Sequence, residues 1–191
     1  MIITISGKPC SGKSTMAEIF CKKYGFERIY AGAIFKEEAK KMGLSAMELA
    51  SSEKCIEIDY RVDDYLKNIY NTRLNDNLLI ESRTSFSFMP NAFNVFVDVD
   101  DEVMALRLFN SDRTGKEKVE TLEEAKKNVM TRYNADCKRY KAIYNIECDN
   151  MSNYTFVVDN SKLTPEQTAD AIYDAYLKFL EKWLQVWPVI F

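Results

Sequence analysis

The sequence predicts an α/β protein: a five-stranded parallel sheet covered on both faces by helices, a three-layer α/β/α arrangement. Short apolar, β-branched runs alternate with segments of helical apolar spacing along the chain. Two of those runs, LLIE at 78–81 and NVFVDVD at 94–100, are apolar almost throughout, as strands buried on both faces are. The first run passes through a glycine turn straight into a helical pattern, the start of a strand–helix–strand unit.

The first strand is expected at 2–5 (IITI), ending at Ser6-Gly7, and the first helix over 13–24, where Met16, Ala17, Ile19 and Phe20 share a face. A brief strand at 28–30 precedes helical patterns over about 33–42, 45–51 and 54–71, with Gly32 and Gly43 separating the pieces. The strands at 78–81 and 94–100 carry acidic residues at their carboxyl ends, and a helix follows over 101–110 with Asp100 or Asp101 as its N-cap. After the polar stretch SDRTGKEK (111–118) comes a long charged helix over 121–144, opened by Thr121 and Glu124 at capping-box spacing. YTFVVD at 154–159 is the last strand, and 165–184 an amphipathic helix with Pro165 in its first turn. In such a fold the ligand site lies outside the carboxyl ends of the strands. The inserts at 33–71 and 111–120 overhang that edge, the second as a mobile flap between two helices.

Composition bounds the function. With 191 residues, 47% of them hydrophobic and 29% charged, the chain fits one domain spanning 1–191. Its 26 basic and 29 acidic side chains leave a net charge of -3, so no global field recruits nucleic acid or an anionic membrane surface. No apolar run approaches the ~20 residues of a membrane span. The start, MIITISGKPC, lacks signal-peptide character, so a cytoplasmic location is expected. Five scattered cysteines without a CxxC pair suggest neither a disulfide framework nor a zinc site. The absence of histidine excludes Ser-His and Cys-His triads and histidine-ligated metals. The tail WLQVWPVIF (183–191) is apolar enough to dock on the protein's own core or to join two copies, so a monomer and a homodimer both remain open.

The strongest motif is Gly7-Lys8-Pro9-Cys10-Ser11-Gly12-Lys13-Ser14, a GxxxxGK[ST] pattern between an expected strand and an expected helix. Its glycines let backbone N–H groups converge on an anion at the helix N-terminus. Lys13 would bridge the β- and γ-phosphates of a nucleotide such as ATP. Ser14 would offer its hydroxyl to Mg2+, with Thr15 an auxiliary. Cys10 reads either as a small side chain filling the loop or as an oxidisable thiol.

With these residues in view the chain resembles the nucleoside monophosphate kinases of the P-loop NTPases, and most closely the cytidylate kinase family. ITISGKPCSGKST is similar to that family's phosphate loop, and AGAIFK (31–36) to its Ser-Gly-Ala-Ile-Tyr-Arg segment. ESR (81–83) is similar to its Asp/Glu-Gly-Arg motif, and Arg132, Asp136 and Arg139 to its Arg-x3-Asp-x2-Arg helix. Residues 144–161 resemble the archaeal form of the family. Ala31, Lys36 and Ser82 depart from the family pattern, where serine, arginine and glycine are usual.

The resemblance implies an acceptor-binding helical insert over about 31–72 carrying Gly32, Lys36 and Arg61, and a lid over about 111–120. It implies phosphoryl transfer from MgATP to CMP or dCMP, with a small-molecule nucleotide as the substrate and neither nucleic acid nor membrane as a partner. On a helix, residues 132, 136 and 139 fall on one face. In that setting Arg132 and Arg139 would neutralise phosphate oxygens, and Asp136 would orient an arginine or accept a hydrogen bond from the base. Arg83 would hold the acceptor phosphate bidentately. Glu81 is preferred over Asp98 and Asp100 for holding Mg2+ through water. Arg61, Asp59 and Asp63 either border the acceptor or form a solvated helix face. Arg107, Arg113 and Lys116 surround the lid, and Arg113 is assigned to transfer. A kinase of another small-molecule acceptor and a nucleotide-binding switch without fast turnover are the alternatives.

Overall fold

The computed structural model of the protein describes residues 1–110 and 119–186. Among them the chain runs β1 (Ile2–Gly7), α1 (Lys13–Tyr24), β2 (Glu27–Tyr30), α2 (Ala31–Lys41), α3 (Ala46–Ala50), α4 (Cys55–Thr72) and β3 (Leu78–Glu81). It continues with β4 (Phe93–Asp98), α5 (Asp101–Phe109), α6 (Leu122–Tyr144), β5 (Phe156–Asp159) and α7 (Pro165–Val186). All strand pairs are parallel, in the order β2-β3-β1-β4-β5. β1 therefore lies between the two strands that follow it at a distance in sequence, and the crevice beyond its carboxyl end is where such sheets bind ligands.

Side-chain alternation along β1 assigns the two layers. Ile3 and Ile5 point into a core with Met16, Ala17 and Phe20 of α1 and Ala169, Ile172 and Tyr176 of α7. Ile2 points the other way, with Leu78 and Ile80, into a core with Leu49, Ile58, Val62 and Leu66 of the α3–α4 insert. Thr4 and Ser6 are buried yet satisfied: Thr4 Oγ1 donates to Asn94 Oδ1 at 2.6 Å and Ser6 Oγ to the Ser82 carbonyl at 2.7 Å. Val99, Met104 and Val129 join α5 to α6.

The helix caps follow the sequence signals. Asp100 is the N-cap of α5 and accepts from the N–H groups of Glu102 and Val103. Thr121 accepts from the Glu124 N–H, while the Glu124 carboxylate accepts from the N–H of Glu120 rather than that of Thr121. β4 ends at Asp98, two residues before the expected end, because Asp98 accepts from the Val99 N–H and Asp100 is already committed to α5. β5 starts at Phe156 because Tyr154 closes a 3-10 turn over Met151–Asn153. The expected flap at 111–118, with Arg113 and Lys116, and residues 187–191 of the tail lie outside the described residues. Among the described residues no helix is long and apolar enough to cross a membrane.

Candidate active site

The loop from β1 to α1 is held by its glycines and by anchors on three sides. Gly7 pairs with Val97 across the sheet at φ 143°, and a Cβ there would lie 2.2 Å from the Val97 carbonyl oxygen, so only glycine passes. Gly12, at φ 83°, caps α1 in the left-handed region. Cys10 takes a positive φ of 55°, uncommon away from glycine, and packs against the Val99–Met104–Val129 cluster. This matches the space-filling reading of that side chain. Pro9 is buried. Lys8 turns to the β4–α5 junction: its Nζ lies 3.0 Å from Asp98 Oδ1, 3.2 Å from Asp101 Oδ1 and 3.0 Å from the Val99 carbonyl. Lys8 can thus meet a phosphate through its backbone while its side chain anchors the loop. On the opposite flank the Ser11 carbonyl accepts from Arg107 Nη1 at 3.2 Å and from Asn160 Nδ2, and Asn160 also accepts from Arg107.

Lys13 folds back over the loop, its Nζ donating to the Gly7 carbonyl at 2.8 Å, to the Lys8 carbonyl and to Ser11 Oγ. Burial pushes its ammonium down to about 7, and the nearby positive charges of Arg83 and Arg132 add to the effect while Glu81 opposes it. Ser14 Oγ donates to Glu81 Oε1 at 2.7 Å. The other Glu81 oxygen meets Arg28. Thr15 is exposed on the first turn of α1.

Beyond β3 an alternating chain of charges links three elements. Arg83 pairs with Asp136 of α6, Arg139 Nη1 lies 3.1 Å from the other Asp136 oxygen, and Arg139 Nε lies 3.0 Å from Asp59 of α4. The Arg139 guanidinium also sits 4.8 Å from the Tyr140 ring. Arg139 and Arg83 both bear on Asp136, the latter arriving from just beyond β3 rather than from the same helix. Arg132 is exposed on α6, with its charge reaching Lys13. Asp59 and Asp63 are buried, not part of a solvated face. Burial pushes the Asp59 carboxyl up against the pull of Arg139. It also raises Asp63, which accepts from Thr84 Oγ1 at 2.8 Å.

The candidates on the insert lie further out. Arg61 is exposed and 3.0 Å from Glu38 of α2. Lys36 is exposed with its ammonium 5.8 Å from the Tyr30 ring centre, and Gly32 lies against that ring. Sequence reasoning missed Arg28, and it missed Asn160 as a brace of the phosphate loop. Asn160 follows directly on β5, so its place at a strand's carboxyl end was a usable signal. Arg28 had none.

The AAA domain family matches residues 3–141. A cytidylate kinase of Sulfurisphaera tokodaii is 33% identical over 183 residues, covering 94% of this chain and 97% of that protein. A cytidylate kinase of Methanocaldococcus jannaschii is 32% identical over 92% of this chain and 97% of its own. The chain belongs to the cytidylate kinase family. Solved structures add the fold: a shikimate kinase from Bacteroides thetaiotaomicron superposes with a TM-score of 0.63 at 15% identity, covering 95% of this chain and 98% of its own.

Within the cytidylate kinase family frame, the donor set around Ser14 fits a hard cation. A hydroxyl and a carboxylate oxygen, both hard donors, stand 2.7 Å apart. Mg2+ suits such a site, since it is usually held by one or two protein oxygens together with substrate phosphates.

Proposed function

We propose that the protein transfers the γ-phosphoryl group of ATP to CMP or dCMP, giving ADP and CDP or dCDP. The observation that carries this reading is the continuity of the site: Ser14 of the phosphate loop donates to Glu81 at the end of β3, and Arg83, two residues on, pairs with Asp136 of α6. A donor loop and an arginine set for a second phosphate thereby adjoin one another. The family's named activity supports the same reaction.

In this reading the loop N–H groups and Lys13 hold the β- and γ-phosphates, and Ser14 and Glu81 hold Mg2+, Glu81 through water. Bound with the nucleotide, Mg2+ would neutralise charge on the β- and γ-oxygens. Arg83 and Arg139 bind the acceptor phosphate, and Arg132, with Arg113 from the lid, offsets charge on the moving phosphoryl group. The bond from the γ-phosphorus to the bridging β,γ-oxygen breaks as an oxygen of the acceptor phosphate bonds to that phosphorus. The acceptor oxygen is anionic near pH 7, so no general base is required, in keeping with a chain without histidine. Residues 1–191 form one kinase domain in which α2–α4 are the acceptor insert, with Gly32, Lys36 and Arg61 along its acceptor side, and 111–120 the lid. All five cysteines are free, which supports a reducing, cytoplasmic setting.

The test is ADP formation from MgATP with CMP, dCMP, UMP, AMP or GMP and an acceptor-free control, each product identified by mass. CMP and dCMP are expected to turn over fastest. Phosphorylation of none of the five, with ATP still bound, would overturn the proposal.

A further inference from the structure

Arg28 belongs to none of the motifs, yet it reaches the carboxylate assigned above to the metal. It lies on the edge strand β2, where Arg28 pairs with Leu79 and Tyr30 with Glu81. Leu79 faces the α1 layer, so Glu81, two residues on, faces it too. On α1, Ser14 and Glu18 are one turn apart and present the same side. The Arg28 guanidinium closes the gap: Nη2 is 2.5 Å from Glu81 Oε2 and Nη1 2.8 Å from Glu18 Oε1, with the Arg28 side chain 18% exposed. Each Glu81 oxygen therefore has its own partner, Ser14 on one and Arg28 on the other, and the carboxylate is held in one orientation. The guanidinium also stacks 4.8 Å from the Tyr30 ring. That ring fills the space left by Gly32 at the start of α2, where a Cβ would come within 2.6 Å of it.

We propose that Arg28 is a positioning residue for the metal-holding carboxylate: it orients Glu81 so that Oε1 stays beside Ser14, and through Tyr30 it ties that orientation to the first turn of α2. The inference rests on the reading of Glu81 as a holder of Mg2+. Outer partners of metal-holding groups act in this way, and their loss typically weakens metal binding about 10- to 100-fold.

The experiment is calorimetric titration of the full-length protein with ADP, with and without Mg2+, in wild type, Arg28→Met, Arg28→Lys and Glu81→Gln. The readout is the gain in ADP affinity that Mg2+ brings. Arg28→Met should lose about tenfold or more of that gain while Mg2+-free affinity stays within about twofold of wild type. Arg28→Lys, able to reach one carboxylate oxygen, should fall between, and it carries the test if the methionine variant does not fold. A full Mg2+ gain in Arg28→Met, or in Arg28→Lys where the methionine variant fails, overturns the proposal. Equal loss with and without Mg2+ also overturns it, as the mark of a merely structural role. Glu81→Gln separates the two levels. Loss of the gain there with none in the Arg28 variants refutes only the role of Arg28, whereas a full gain in Glu81→Gln refutes the metal reading itself.

Discussion

Lys13 sets up a proton-linked binding reaction whose sign follows from its surroundings. In the ligand-free protein, burial and the positive charges of Arg83 and Arg132 bring its pKa from 10.5 to about 7. At about pH 8.5 a group with that pKa is roughly 3% protonated. A polyphosphate seated in the loop supplies the missing counter-charge and returns the pKa toward its ordinary value, so the complex holds the proton that the free protein has lost. Nucleotide binding at about pH 8.5 should therefore take up about one proton, and affinity should fall about tenfold per pH unit between roughly pH 8 and 9.5. The phosphates of ADP are fully ionised there and contribute no proton of their own. Titration calorimetry in two buffers of different ionisation enthalpy reads the uptake directly. Lys13→Arg, charged throughout the range, should bind without uptake. PH-independent affinity in the wild type, or the same uptake in Lys13→Arg, would refute the reasoning.

Other consequences are open to the same kind of check. Gly7→Ala places a Cβ 2.2 Å from a paired backbone oxygen at φ 143°, and denaturant unfolding should show a loss of about 3 kcal/mol or more; a loss under about 1 kcal/mol would mean the β1–β4 contact yields easily. Asn160→Ala removes a buried acceptor from Arg107 and a donor to the Ser11 carbonyl, so stability should drop by about 2 kcal/mol and the KM for ATP should rise with the acceptor KM unchanged; an unchanged KM for ATP would dismiss Asn160 as a brace of the loop. Asp136→Asn weakens the bridge between Arg83 and Arg139, so kcat/KM for the acceptor should fall about tenfold or more and the order of preference among bases should shift, with the KM for ATP within about twofold. Equal loss for both substrates would leave these residues a purely structural ion network.

The elements that carried strong periodicity were legible. Leu78, Leu79 and Ile80 are all buried, as a continuous apolar run in a parallel sheet requires, and Asp100 and Thr121 cap the helices they precede. The phosphate loop was legible because its chemistry is local: eight consecutive residues hold the turn, the helix start and the lysine. The charged side of the site was less so, because its pairs are long-range. Arg28 and Glu81 are 53 residues apart, and a four-residue edge strand reading Glu-Arg-Ile-Tyr shows no apolar alternation to say which way Arg28 turns. Asp59 sits in a segment, IEIDYRVDDY, whose charges fit a solvated face equally well. It is buried because Arg139, 80 residues away, arrives over it on α6. Helix geometry placed Arg132, Asp136 and Arg139 on one face, but only the tertiary fold brings Arg83 to Asp136.

That network also ranks the arginines as ligands for a second phosphate. The chain's net charge of -3 gives no general attraction for anions, so on the proposed reaction acceptor binding rests on guanidiniums, and those of Arg83 and Arg139 are already paired. Turning Arg139 fully toward a phosphate would strip Asp59, whose side chain is 11% exposed, of the charge that offsets its burial, at a cost of several kcal/mol. Turning Arg83 is easier. Its side chain is more exposed, at 28%, and Asp136 would keep Arg139 at 3.1 Å after Arg83 had left. On the proposed reaction, Arg83 is therefore the arginine that exchanges its carboxylate for the acceptor phosphate. Arg139 remains the fixed post between α4 and α6, with its second terminal nitrogen, 3.2 Å from the Tyr140 hydroxyl, the one part that can reach the anion without leaving Asp59 or Asp136 unpaired.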